Sequence, residues 1–341
     1  MLRLSRALCF IFRAAVSNGA DGWQLKMRTV GSLRSSPFSE SKISRWTQFR
    51  SAFRKSNKWG YLFILPLVAD FLFFTAYMVG FAVWLSFQQI SAGNYTFVGL
   101  QNFERILRSP ATWNALRNTL SYTSIVVVVG LAIALILSEL IFRRSSKVQI
   151  FFKSAFYLPA VVSTIVISLV WYWIFNPFYG ILNAAAGLIG IPPQNWLMNP
   201  NLALSSIIFM TLVSSGGPAI ILLTAAMGGI PNELWDAARI DGASDWTRFW
   251  RVTVPLLRPT LLYLFVVGFI GNFQVFEQIY ILTSGGPGFP GATETVGFLI
   301  YDSAFRAMQF GQSAALSLLL FVFILIFSIV QFRVFSSELE Y

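Results

Sequence analysis

From Tyr61 onward the chain alternates long apolar runs with short polar ones. A helix needs about 20 apolar residues to span a bilayer. Six runs reach that length, at roughly 61–87, 119–142, 151–174, 203–228, 260–283 and 312–334. Periodicity within them is weak, which suits helices surrounded by lipid and by one another. Hydrocarbon offers no partner to a free backbone group, so only helices or closed barrels cross it. The pattern predicts an all-α membrane protein, with a six-helix domain over 60–341 behind a polar tail, 1–59.

Composition agrees, with 56% hydrophobic residues, 11% charged residues and a mean hydropathy of +0.65. A soluble domain carries about 25% charged residues. The net charge of +11 suggests nucleic acid only until it is mapped. Residues 1–59 hold 12 of the 25 Lys and Arg but only two acids, Asp21 and Glu40. Basic residues ahead of a first span mark the cytoplasmic side. With the N-terminus inside, inner segments hold 21 Lys and Arg; outer segments hold four, Arg105, Arg108, Arg117 and Arg306. Both termini and the loop 231–259 are therefore expected to be cytoplasmic. The tail is expected to lie solvated beside anionic lipid, with no nucleic acid as partner. In composition it also resembles an organellar transit peptide, and Met27 offers a later start; these readings stand side by side. Its apolar stretch LCFIF is short and ends at Arg13, which does not make a secretory core.

The chain has one cysteine, Cys9, and no histidine. That excludes an internal disulfide, the usual zinc site and histidine base catalysis. No GxxxxGK[ST] phosphate loop occurs, so ATP, if used, is held by another subunit. With no ligand cluster or nucleophile–base pair, an enzyme is not expected.

The polar stretch PNELWDAARIDGASDWTRFWRVTVPLLRP, Pro231 to Pro259, is the most distinctive loop. Pro231 suits a first helical turn, and Glu233 and Asp236 favour its positive end. Leu234, Ala237 and Ala238 fall on one face at i, i+3, i+4. Gly242 can adopt the left-handed cap that ends the helix, and Ser244 can cap a second one. Trp246, Phe249 and Trp250 would stripe that second helix, and Pro255 would stop it. Two short angled helices with alanines at the contact face fit a partner's groove; packing on the chain's own bundle is the alternative.

The string ELWDAARIDGA followed by VTVPLLRP resembles the EAA loop of membrane subunits of binding-protein-dependent ABC importers. Its triplet is Asp236-Ala237-Ala238, with Asp where the family usually has Glu, and Gly242 and Pro255 match the pattern. YLFILP (61–66), FVGLQNF (97–103), NALRNTL (114–120), FYLPAVVS (156–163), WYWIFNPFYGILN (171–183) and IYILTSGGPG (279–288) are similar to the carbohydrate branch. The likeness covers roughly 60–341; lacking the large periplasmic insertion of the maltose-system permease, the chain is more similar to the shorter multiple-sugar and glycerol-phosphate permeases. It implies a type I importer permease fold with cytoplasmic coupling helices, in a bacterial or archaeal plasma membrane. Implied partners are a second permease, two ATP-binding subunits and an extracytoplasmic sugar-binding protein. ATP and Mg would sit on the ATP-binding subunits and no cofactor on this chain. By the same likeness Glu233 and Asp236 would contact the ATPase cleft, Ala237 and Ala238 would allow close packing, and Gly242 would set the turn.

Polar residues within the spans point to a path. Intramembrane polar groups are costly and mark a cavity by default, although some only bond helix to helix. In the fifth run Gln274, Glu277 and Gln278 share a face at i, i+3, i+4, with Asn272 nearby. Their amides and carboxylate suit sugar hydroxyls. Ser214-Ser215-Gly216-Gly217-Pro218 should break the fourth helix and free backbone groups to line a site, with Ser214, Ser215 and Gly216 as candidates. Many sugar permeases carry an aromatic residue there; this chain has small ones. Trp171, Tyr172 and Trp173 are expected in an interfacial belt. Two rival readings remain. One is a permease for glycerol phosphate or a polyol, which the lack of basic residues within the spans disfavours. The other is a proton-coupled secondary transporter using Asp70 and Glu277.

Overall fold

A computed structural model describes residues 58–91, 94–286, 288 and 291–336. The basic tail up to residue 57, and Pro287, Phe289 and Pro290 of the SGGPGFPG stretch, lie outside the described residues. The chain divides into two units, residues 1–67 and 68–341. The described part of the first is helical from Lys58.

Among the described residues three helices are long and apolar enough to cross a membrane: Tyr61–Ser86, Pro110–Phe142 and Phe310–Gln331. Three bent pairs pass the same test, which makes up to six spans if each pair is one span. The first stretch comprises α1 (Lys58–Asp70), a π-helical turn (Phe71–Ala76) and α2 (Tyr77–Ser86). A hairpin follows, β1 (Gln88–Ser91) antiparallel to β2 (Asn94–Phe97), with Gln88 opposite Phe97. A short helix, α3 (Gln101–Arg108), follows the hairpin. α4 (Pro110–Phe142) starts on a proline at its first turn, where the missing N–H costs nothing.

The third run, drawn as one helix over 151–174, is two: α5 (Ser146–Val161) and α6 (Thr164–Ile174), bent by 98°. Pro159 withholds an N–H, and Val162 and Ser163 are extended. After α7 (Ile181–Leu188), the fourth run breaks at Gly216 as expected, into α8 (Ala203–Ser215) and α9 (Gly217–Gly228), bent by 44°. The loop beyond holds α10 (Asn232–Ile240) and α11 (Asp245–Arg248). The second helix ends at Leu256, one residue past Pro255. It runs on from α11 through a π turn (Phe249–Thr253) and α12 (Val254–Leu256), and the chain then bends by 67° into α13 (Arg258–Phe273). Pro255, two residues before the break at Leu257, withholds an N–H there. The fifth run is also interrupted: α13 ends at Phe273 and α14 (Glu277–Leu282) restarts the helix. α15 (Val296–Tyr301), a π turn (Asp302–Arg306) and α16 (Phe310–Ser336) complete the order.

Of three apolar clusters among the described residues, the two larger hold the bundle. One gathers Tyr122, Phe175, Ile207, Met210, Ile279 and Phe298; the other gathers Leu135, Ile220, Leu223, Met227, Phe249 and Leu257. α4 contributes to both, so it is the central helix. Buried hydroxyls spend their hydrogen bonds on their own helix, Thr119 on the Ala115 carbonyl at 2.7 Å and Thr211 on that of Ile207 at 2.9 Å. Ser138 also reaches across to the Ile220 carbonyl at 3.2 Å, joining α4 to α9.

Candidate functional site: substrate path and coupling loop

The interruption after Phe273 makes the first site. Gln274, Val275 and Phe276 are non-helical, so Gln274 and Glu277 do not share a helical face as their spacing suggested. The residues meet instead around a cavity of ≈ 280 Å³, lined by Thr164, Gly271, Asn272, Gln274, Val275, Phe276, Glu277 and Gln278. The four polar residues singled out in the fifth run therefore line one space. Ser214, Ser215 and Gly216 do not: Ser214 accepts a hydrogen bond from Trp171 Nε1 at 3.0 Å, and Ser215 donates to the Thr211 carbonyl at 2.6 Å. Trp171 is half-buried against the first apolar cluster. It bonds helix to helix and does not belong to a surface belt.

A break inside an apolar bundle leaves backbone groups to satisfy. Thr295 donates its hydroxyl to the Val275 carbonyl at 3.0 Å. Gly297 permits that approach, since a Cβ there would stand 2.7 Å from the same oxygen. Tyr122, fully buried, donates to Gln278 Oε1 at 2.9 Å, and its oxygen lies 3.0 Å from that of the Thr211 hydroxyl. Asn272 donates to the Gly268 carbonyl at 2.8 Å and Gln274 to that of Ile270 at 3.0 Å. These bonds fix the side chains and leave groups over. The Asn272 and Gln274 amide oxygens, the Gln278 amide nitrogen and the Glu277 carboxylate have no hydrogen-bond partner among the described residues. A site of that kind offers acceptors and a donor to a hydroxylated ligand. Phe276 adds an aromatic ring, in contact with Tyr301 at 4.7 Å between centroids. Thr164, Tyr122, Thr211, Thr295 and Gly297 were missed from sequence, because each acts on the site from another element.

The loop is the second site. None of α10 is buried, and Glu233, Asp236 and Ala237 are exposed. Gly242 has φ +74°. Its N–H bonds the Arg239 carbonyl and that of Ala243 bonds Ala238, both at 3.0 Å, which is a Schellman cap. Ser244 accepts from the Thr247 N–H at 3.2 Å and caps α11. Trp235 stacks on Phe142 at 6.2 Å, which turns the opposite face of α10 outward. Trp246 is 70% exposed, whereas Phe249 belongs to the second cluster. Charges tie the loop to α4. Arg143 pairs with Glu139 at 2.5 Å and with Asp245 at 2.7 Å, and Asp245 also pairs with Arg248.

Comparison with known families decides the kinship. The pattern of the binding-protein-dependent transport system inner membrane component matches residues 127–336. The chain belongs to this family. As a member it is a membrane-embedded permease subunit of an ABC importer, a transport component and not an enzyme. It is 33% identical over 301 residues to the arabinooligosaccharides transport system permease of Bacillus subtilis (strain 168), covering 88% of this chain and 94% of that one. It is 34% identical over 286 residues to the trehalose/maltose transport system permease of Thermococcus litoralis, covering 82% and 94%. A chain of a bacterial alginate ABC transporter, solved with an alginate pentasaccharide-bound periplasmic protein, shares the fold. Its TM-score is 0.72 at 21% identity, over 84% of this chain and 96% of that one. The permease family leaves no place for the secondary transporter with Asp70 as its proton carrier; among the described residues the Asp70 side chain has no hydrogen bond or ion pair.

Proposed function

We propose that this permease passes a neutral sugar or short oligosaccharide, delivered by an extracytoplasmic binding protein, through the space around Gln274–Gln278. The observation that carries the reading is the cavity of ≈ 280 Å³, where open amide and carboxylate groups meet a phenyl ring with no Lys or Arg in the lining. A phosphorylated or carboxylated substrate would call for a cation. Relatives named for arabinooligosaccharides and for trehalose and maltose support the same class.

In this reading residues 60–341 cross the membrane six times with both termini in the cytoplasm, in a bacterial or archaeal plasma membrane. The positive-inside distribution supports that orientation. The chain pairs with a second permease, and two ATP-binding subunits carry Mg and ATP. Glu233, Asp236, Ala237 and Ala238 sit in an ATPase cleft, and Gly242 and Pro255 shape the loop. ATP-driven closure moves the loop, and differential contacts in the two states move the path from inward-facing to outward-facing.

The test is uptake into vesicles carrying the assembled transporter, with labelled arabino-oligosaccharide, maltose and glycerol 3-phosphate. Saturable sugar uptake is expected, lowered about tenfold at limiting sugar by Gln278→Ala, the loss of one positioned hydrogen bond. Uptake of glycerol 3-phosphate in preference to either sugar would reject the neutral-sugar reading.

A further inference from the structure

Five side-chain amides, one of them Asn102, and a guanidinium share one hollow where the hairpin meets the last helix. Gln88, Gln89, Gln309, Gln312 and Arg105 line it, with a volume of ≈ 90 Å³. None of these four glutamines, nor Arg105, makes a side-chain hydrogen bond or ion pair to the described residues. Gln88 is 6% exposed, and its side chain lines the hollow. The hollow is also firmly built. Asn102, 1% exposed, donates to the Ser86 and Gln88 carbonyls at 2.9 Å each. A Cβ on Gly311 would collide with the Gln88 carbonyl, so the last helix abuts the strand directly. Met308, exposed and not glycine, holds a left-handed φ of 54° one residue before Gln309. Strain of that kind collects at ligand sites.

We infer that this hollow is a docking socket for an acidic side chain of the extracytoplasmic binding protein. Arg105 supplies the one charge in the lining, and no acid opposes it. A guanidinium with amide donors around it matches a carboxylate. The hollow is small, and a side-chain carboxylate fits there. Position agrees. Gln88 lies two residues past the end of α2, and Gln309 one residue before α16. Both are on the face that the proposed orientation turns outward, and the inference rests on that orientation. The neighbouring alginate transporter was solved with a periplasmic protein bound.

The experiment has two arms, in the assembled transporter reconstituted in vesicles. In the first, Gln312→Cys with Cys9→Ser is exposed to a membrane-impermeant maleimide added outside. Labelling is expected; none would overturn the orientation and this socket with it. In the second, Arg105→Glu and Arg105→Lys are compared over a range of purified binding protein. Arg105→Glu should raise the half-saturating concentration about tenfold, with maximal uptake changed less than about twofold. Arg105→Lys, which keeps the charge but loses the fork, should raise it about threefold. Labelling with an unchanged half-saturating concentration would overturn the socket alone. So would a fall confined to maximal uptake.

Discussion

Replacing Arg143 with methionine should strip a nearly buried carboxylate of its one ion pair among the described residues. Glu139 is 7% exposed, and its second oxygen has no partner among the described residues. Removing one member of a buried pair costs about 3–5 kcal/mol, because the other charge stays behind uncompensated. The Arg143 side chain is 32% exposed against 10% for Glu139. Solvent therefore relieves part of the loss, and about 2–3 kcal/mol is expected. Asp245, with a side chain 67% exposed, adds little when it loses Arg143. Glu139→Gln removes the stranded charge, so the double variant should recover at least about 1 kcal/mol relative to the sum of the singles. Thermal unfolding in detergent, followed by tryptophan fluorescence as a double-mutant cycle, reads this directly. For a chain of this size each kcal/mol moves Tm by about 2–4 °C. Additive single losses, or a loss below about 0.5 kcal/mol for Arg143→Met, would refute the reasoning.

Two further outcomes follow from the loops. Gly242→Trp places a Cβ where nothing stands within 4 Å, so the cost is the left-handed backbone at φ +74°, about 1–2 kcal/mol. The fold should survive while ATP-dependent uptake falls at least about tenfold, and Gly242→Asn, which tolerates that backbone, should keep most uptake. Intact uptake in Gly242→Trp would end the coupling role of the loop. Glu294 is half-buried, and burial, followed by the charge of Asp302, pushes its carboxyl above the ordinary 4.5; a hydrogen bond from Asn114 pulls back. A raised folded pKa gives stability that is present below the unfolded value and lost as pH rises through the folded one. Glu294→Gln should therefore raise Tm at pH 7 and lose that advantage near pH 4; an advantage equal at both pH values would contradict it.

What the sequence disclosed was local. The Gly242 cap and the Ser244 cap depend on residues within a turn of themselves, and Gly216-Gly217-Pro218 carries its own break. The interruption at Gln274–Phe276 was not legible, because those three residues include neither glycine nor proline. Its cause lies some twenty residues on, where the Thr295 hydroxyl takes the Val275 carbonyl and Gly297 gives it room. Periodicity brought Gln274, Glu277 and Gln278 together correctly but on the wrong scaffold, since a continuous helix and a broken one can both converge side chains on one space. Tyr122 looked like one more apolar residue in α4, and only the fold reveals its bond to Gln278. The Arg143–Asp245 ion pair was hidden for the same reason, because its members are 102 positions apart.

The Thr295–Val275 bond has a consequence for inheritance. On one side Asn118 donates to the Gly291 carbonyl at 3.2 Å and the Glu294 carbonyl at 2.9 Å, fixing the segment before Thr295 against α4. On the other side the same segment holds the floor of the cavity. Residues 274–278 and 291–297 therefore behave as one module, although they are separated in the chain. A graft of the first stretch alone from a relative of different specificity would arrive with its anchor mismatched. Exchanged together, the two stretches would carry their geometry with them.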